Sequence, residues 1–281
     1  MKILKRTDIE AIGNRIYTAY RKLPQVAEQH MICAVDPDIL LPHLLGLDID
    51  YRHISTDRLT FGMTSTEECG VTLFPGDDTC VVYMFDGKTV LIEKDLHTSQ
   101  NKIGKCNFTK FHEASHHIYK MLYPKYYGYG DDVPHPKLHF SRPTEQKIAP
   151  ERDWEEWQAD TLAACILLPE ELIRQGMYLL DLGERIEYLN KLYRHETYEK
   201  FCTLAGMMGA TPMALAYRME RLGLLEHNQL QDPYSYGDVY FDIPRVENWD
   251  AYPKYKSIAA KLQIQSTSNK KRESRETNTG T

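Results

Sequence analysis

Two histidines four residues apart, His112 and His116, sit inside a stretch that reads as one helix, Phe108-Thr109-Lys110-Phe111-His112-Glu113-Ala114-Ser115-His116. On a helix, residues at this spacing lie on one face, so both imidazoles can point at one cation. Glu113 lies beside them, placed to act as a base toward water. Two imidazoles and an adjacent carboxylate make up two-thirds of a catalytic zinc site together with its base.

A catalytic zinc site takes three protein ligands and leaves one position open. The third ligand is expected on a neighbouring helix spanning about 153–168 and ending at Pro169. Glu156 and Asp160 stand four apart there and point the same way. Ala159, Ala163 and Ala164 are small enough to allow close approach. Glu156 is read as the third ligand, with Glu155 as the fallback. Asp160 is read as the acceptor for the outward ring N–H of a ligating histidine. His117 points away from His116 and is not counted as a ligand. Cys106 is placed near the helix start. Tyr119, Tyr123, His135 and His139 are the candidates for stabilising an oxyanion, with a structural reading preferred for each.

The rest of the chain suggests an α+β fold, with a small, mostly antiparallel sheet packed on a helical core. Thr7-Asp8-Ile9-Glu10 fits a capping box opening a helix over 8–22. A short helix is expected from Pro37 to Gly46, kinked at Pro42. Alternation at Leu47, Ile49 and Tyr51 marks a strand. Further strands are expected at Arg58–Met63, Val71–Phe74 and Cys80–Phe85. The Asp86-Gly87 turn would pair the last of these with Thr89–Glu93. Asn107 is expected to cap a helix over 108–122. Residues 123–150, rich in Tyr, Pro, Gly and His, read as a long loop. Helices are expected over 170–195 and 197–222. Residues 1–225 form the expected domain, 226–264 an extended aromatic-rich segment laid on it, and 265–281 a disordered tail without large apolar side chains.

The chain resembles the ImmA/IrrE-type metallopeptidases over about residues 30–225. The metal helix carries the likeness, as does Glu156-Trp157-Gln158-Ala159-Asp160-Thr161-Leu162-Ala163-Ala164-Cys165-Ile166-Leu167-Leu168-Pro169. A weaker third part runs from Leu204-Ala205-Gly206-Met207-Met208-Gly209-Ala210-Thr211-Pro212 to Leu225. Ser115, Asp160 and Leu168 stand where that family more often has Gly, Asn and Met. Glu156 follows His116 by 40 positions, a longer step than the family leads one to expect. The resemblance implies zinc (Zn2+) at His112, His116 and Glu156, with Glu113 as the catalytic base. It also implies a specific protein substrate, such as the repressor of a phage or mobile element.

Composition fits that reading. The net charge of −6 argues against general nucleic-acid binding. No apolar run approaches the roughly 20 residues a membrane span needs. The six cysteines are scattered without a Cys-x-x-Cys pair, as expected of reduced thiols in a cytoplasmic protein. The competing reading is a DNA- or repressor-binding regulator whose metal site is structural. Ala205, Gly209 and Leu215 have helix-turn-helix-like spacing, with Thr211 able to cap and Pro212 to occupy the first turn. The second helix offers only Arg218 and Arg221 to phosphates, which is few.

Overall fold

In this computed structural model the metal-motif helix is the central rod, and the other elements are arranged around it. The structure describes residues 2–29, 31–76, 79–127, 138–141 and 150–234. The chain falls into two units, Met1–Pro233 and Tyr234–Thr281. The first is a mixed α/β structure with small sheets, and it runs past the expected boundary at 225. Of the expected extended segment, 226–264, only residues up to Tyr234 are described; its remainder and the expected tail lie outside the described residues.

Helix α1 (Arg6–Tyr20) opens two residues earlier than its sequence pattern suggests. Asp8, not Glu10, reaches back, accepting from the Lys5 N–H at 3.1 Å. Glu10 is drawn to Arg218 instead. After α2 (Pro24–Ala27), α3 (Pro37–Leu40) starts with the Asp36 carboxylate accepting from the Asp38 N–H. It passes into a π-helical turn over Leu41–Leu45. Pro42 brings no N–H to the helical ladder, which accounts for the expected kink taking this form.

Strands β1 (Asp48–Arg52), β2 (Gly62–Ser65), β3 (Glu68–Gly76), β4 (Thr79–Asp86) and β5 (Thr89–Glu93) follow. Arg58 turns the chain with φ +56°, so β2 begins four residues later than the alternation implies. Strand β4 pairs with β3 in a separate antiparallel ribbon, and does not pair back with β5. The reason is burial. Val90, Leu91 and Ile92 are inaccessible, and such a continuous apolar run suits a strand covered on both faces. Strand β5 accordingly lies inside a sheet of order β1-β5-β2-β6, where β6 is Leu138–Ser141, and runs parallel to β1 and antiparallel to β2.

Helix α4 (Lys94–Thr98) and a 3₁₀ turn lead into α5 (Ile103–Leu122). Helix α5 starts before Asn107, which therefore caps nothing. Its amide instead donates to the Gly209 carbonyl at 3.0 Å. The expected loop after α5 contains α6 (Pro124–Tyr127) and β6 (Leu138–Ser141). Strand β6 pairs antiparallel with all of β2 and, among the described residues, is the last strand of the sheet.

Helix α7 (Pro150–Leu167) packs against α1 and α5. Gly13 makes the α1 contact possible, since a Cβ there would lie 2.6 Å from the Cys165 Cβ. Helix α8 (Glu170–Leu179) is shorter than expected. It is followed by β7 (Ile186–Leu189), which pairs in parallel with β8 (Leu225–Asn228). Between these strands lie α9 (His195–Met207) and α10 (Pro212–Arg221). Thr211 caps α10 by accepting from the Ala214 N–H at 3.1 Å, and Pro212 takes the first turn.

Arg218, one of the two basic groups of α10, is buried in the core at 2% exposure. Its guanidinium grips both oxygens of Glu10, with Nη2 to Oε2 at 2.7 Å, and its Nε donates to the Leu168 carbonyl. This pair joins α1, α7 and α10. Removing one partner leaves a buried charge uncompensated. Glu10→Ala is therefore expected to lower stability by about 3–5 kcal/mol in chemical denaturation. A loss below about 1 kcal/mol, the range of a surface pair, would contradict this account.

Candidate metal centre

Every residue of α5 from Thr109 to Tyr119 is buried. Such a helix has no solvent face, so each polar side chain on it needs a protein partner. Lys110 Nζ reaches the two Asp38 oxygens at 2.7 and 2.9 Å. Ser115 donates to the Phe111 carbonyl. The Tyr119 hydroxyl donates to the Gln158 carbonyl, holding α5 to α7. His117 Nε2 stands 2.7 Å from Thr64 Oγ1, which itself donates to the Thr89 carbonyl. The single hydroxyl hydrogen being thus used, His117 Nε2 is the donor in that contact.

The remaining pair meets α7. His112 Nε2 lies 3.1 Å from Glu156 Oε2 and 3.4 Å from His116 Nε2, and His116 Nε2 lies 3.8 Å from the same Glu156 oxygen. Nitrogen and oxygen ligands at metal bond lengths of about 2.0–2.2 Å, arranged tetrahedrally, are separated by roughly 3.3–3.6 Å. The donor set thus fits a divalent ion. The other ring nitrogen of His112, Nδ1, is 2.8 Å from Asp160 Oδ1. That contact orients the ring so that Nε2 faces Glu156.

Glu113 is fully buried. It lies against β2 at Gly62, where an added Cβ would come within 2.7 Å of Glu113 Oε1 and 2.6 Å of Thr109 Cγ2. Only glycine at position 62 leaves that space. A lone glycine in a strand is the one sequence signal of such an approach, and it does not say which residue approaches.

A second set shares His116. His116, His139 and Glu155 also bring ligand atoms within 4.8 Å of one another. The two acids are thereby distinguished: Glu156 faces both motif histidines, whereas Glu155 faces His116 and His139. A third group, His53, Glu93 and Asp95, lies away from the motif histidines, and its central carboxylate is engaged by the chain itself. Glu93 accepts from the Ile54 and Asp95 N–H groups and meets His53 Nδ1 at 2.7 Å. Of the other candidates from the sequence, Tyr119 is turned to α7 and Tyr123 lies under Lys2 Nζ. Cys106 is buried in the core. His135 lies outside the described residues.

Burial disfavours charge on His112, but its hydrogen bonds to Asp160 and Glu156 and the charge of Glu113 outweigh it and push its pKa up to about 10. His116 is held well below the usual histidine range by burial and by the neighbouring His139 and His112. His117 falls to about 4, again chiefly through burial. Burial raises the Glu156 pKa, but the hydrogen bond to His112 and the nearby imidazoles of His139 and His116 overcome this and leave it well below the carboxylate range. Both shifts favour an ion pair, with the proton on His112 and the charge on the Glu156 carboxylate.

No protein-family model matches the sequence, and no curated protein is significantly similar to it.

A divalent ion entering this site must displace the His112 proton. Because that proton stays bound below about pH 10, apparent affinity should rise with pH, by about tenfold per unit from pH 7 to 9. Calorimetric titration with Zn2+ in buffers of different ionisation enthalpy should show proton release. Binding that is indifferent to pH would refute this electrostatic description.

Proposed function

We propose that the chain is a zinc-dependent endopeptidase of the ImmA/IrrE type that cleaves one intracellular regulatory protein, a repressor of phage or mobile-element origin. The observation that carries this reading is the convergence of His112, His116 and Glu156 around one point, with the Glu113 carboxylate on the next residue of the same helix. Structural zinc sites usually close with four ligands, often cysteines. Among the described residues all six cysteines are free, and none belongs to this donor set.

His112, His116 and Glu156 would hold the zinc ion, which would supply Lewis acidity toward water and the scissile carbonyl. The chain's own groups do the rest. Asp160 keeps the His112 ring turned to Glu156. Glu113 accepts the water proton and returns it to the leaving amine. Its burial beside Gly62 keeps the carboxylate in one place. Among the described residues the sheet ends at β6, beside the site, and an extended substrate segment would add along such an edge through main-chain hydrogen bonds.

The regulator reading loses support with Arg218 committed to Glu10. Arg221 remains as the exposed base of α10, too little for phosphate binding. The α9–α10 pair, helix-turn-helix-like in sequence, is better read as a packing or repressor-docking hairpin. No described helix is long and apolar enough to cross a membrane.

Co-expression with a repressor encoded beside this gene tests the proposal. Intact repressor should disappear with the wild type and persist with Glu113→Gln, whose rate should fall by about 10²–10⁴-fold while zinc stays bound. Undiminished cleavage by Glu113→Gln would remove the base assignment. Gly62→Ala, which pushes on the same carboxylate, should slow cleavage by about tenfold or more without releasing zinc. Wild-type rates in that variant would show that the glycine contact does not position Glu113.

A further inference from the structure

Strand β6 comes from the segment between the two metal-binding helices, and it delivers one side chain to the centre. In the β2–β6 ladder Thr64 stands opposite His139. Directly opposed residues point to the same face of a sheet. Thr64 meets His117, and His139 meets His116, so this pair of sheet residues engages consecutive histidines of α5.

The His139 ring stacks on His116, with centroids 3.7 Å apart and planes 20° from parallel. Its Nδ1 is 3.8 Å from Glu156 Oε1, and its Nε2 is 3.9 Å from Glu155 Oε1. These are ion-pair separations, too long for hydrogen bonds. The Glu156 oxygen it faces is the one turned away from the ligand cluster, since Oε2 is the oxygen near His112 and His116. His139 does not group with His112, so it is no fourth ligand of the same ion. Burying an imidazole this deeply, at 6% exposure, would be wasteful if it only filled space. Its polar neighbours are a ligand carboxylate, a ligand ring and the adjacent acid.

We propose that His139 is a positioning residue of the metal centre: it holds the outer oxygen of Glu156 and the ring of His116, and so sets the affinity and geometry of the site. This rests on the proposed metal centre and not on peptidase activity. It also gives a use to the long step between His116 and Glu156, because the intervening segment carries β6.

The test uses the full chain, with Zn2+ affinity measured by competition with a chromophoric chelator and geometry by the visible absorption of the Co2+ form. Partners that orient ligands typically account for about 10–100-fold in affinity. His139→Ala should weaken Zn2+ binding by about that factor and change the Co2+ bands, with the metal-free protein still unfolding in one cooperative transition. His139→Asn, which keeps a donor near the Nδ1 position, should recover much of the affinity. His139→Phe, which keeps the stacked ring alone, should not. Equal affinity and spectra in wild type and His139→Ala would overturn the inference while leaving the metal centre intact. Recovery by Phe equal to that by Asn would reduce His139 to packing. A wild-type chain that takes up neither ion would overturn the metal centre itself and this inference with it.

Discussion

Helix α5 is buried on every side, yet it carries a lysine, a glutamate, a serine and three histidines between Thr109 and Tyr119. Satisfying those groups governs the arrangement of everything around it. An apolar helix in that position would need only shape complementarity. This one needs a specific partner at each turn: Asp38 for Lys110, Asp160 and Glu156 for His112, Thr64 for His117. Those partners come from α3, α7 and β2, so polar satisfaction of one helix dictates where three other elements must lie. Apolar packing around Phe111, Ala114 and Ile118 supplies the driving force, and the polar contacts select the arrangement.

The same requirement shapes the chemistry. Acidic groups converge from two helices on one buried region, and a single imidazole carries the balancing charge in the metal-free form. A dication is the natural replacement for that proton, because low dielectric magnifies its attraction to the surrounding carboxylates. The groups differ in protonation according to surroundings rather than residue type. His112, between two carboxylates, holds its proton. His116 and His117, among other imidazoles and apolar side chains, do not. A site that keeps one histidine neutral and exchanges the proton of the other is suited to take up metal with proton release.

Much of the candidate site was legible in the sequence because its logic is local. His112 and His116, and Glu156 and Asp160, are pairs four apart on helices, and helical periodicity alone puts each pair on one face. Pairing one face with the other took only a chemical argument about ligands and their acceptors. His139, Gly62 and Thr64 offered no comparable pattern. Their roles come from strand register, and Thr64 reaches His139 across 75 positions of chain. Arg218 misled for the related reason that a basic residue on an amphipathic helix looks solvent-bound until its neighbour, here Glu10 of α1, is known.

Short segments of the chain, taken alone, were enough to specify the helices that hold the candidate ligands, the identity of those ligands, and the presence of strands before them, since periodicity and side-chain chemistry are local properties. The strand order β1-β5-β2-β6, the separation of the β3–β4 ribbon from that sheet, and the arrival of His139 beside His116 emerged only in three dimensions. Pairing between strands is settled by which faces the whole chain can bury together, and that competition is not written in any one segment.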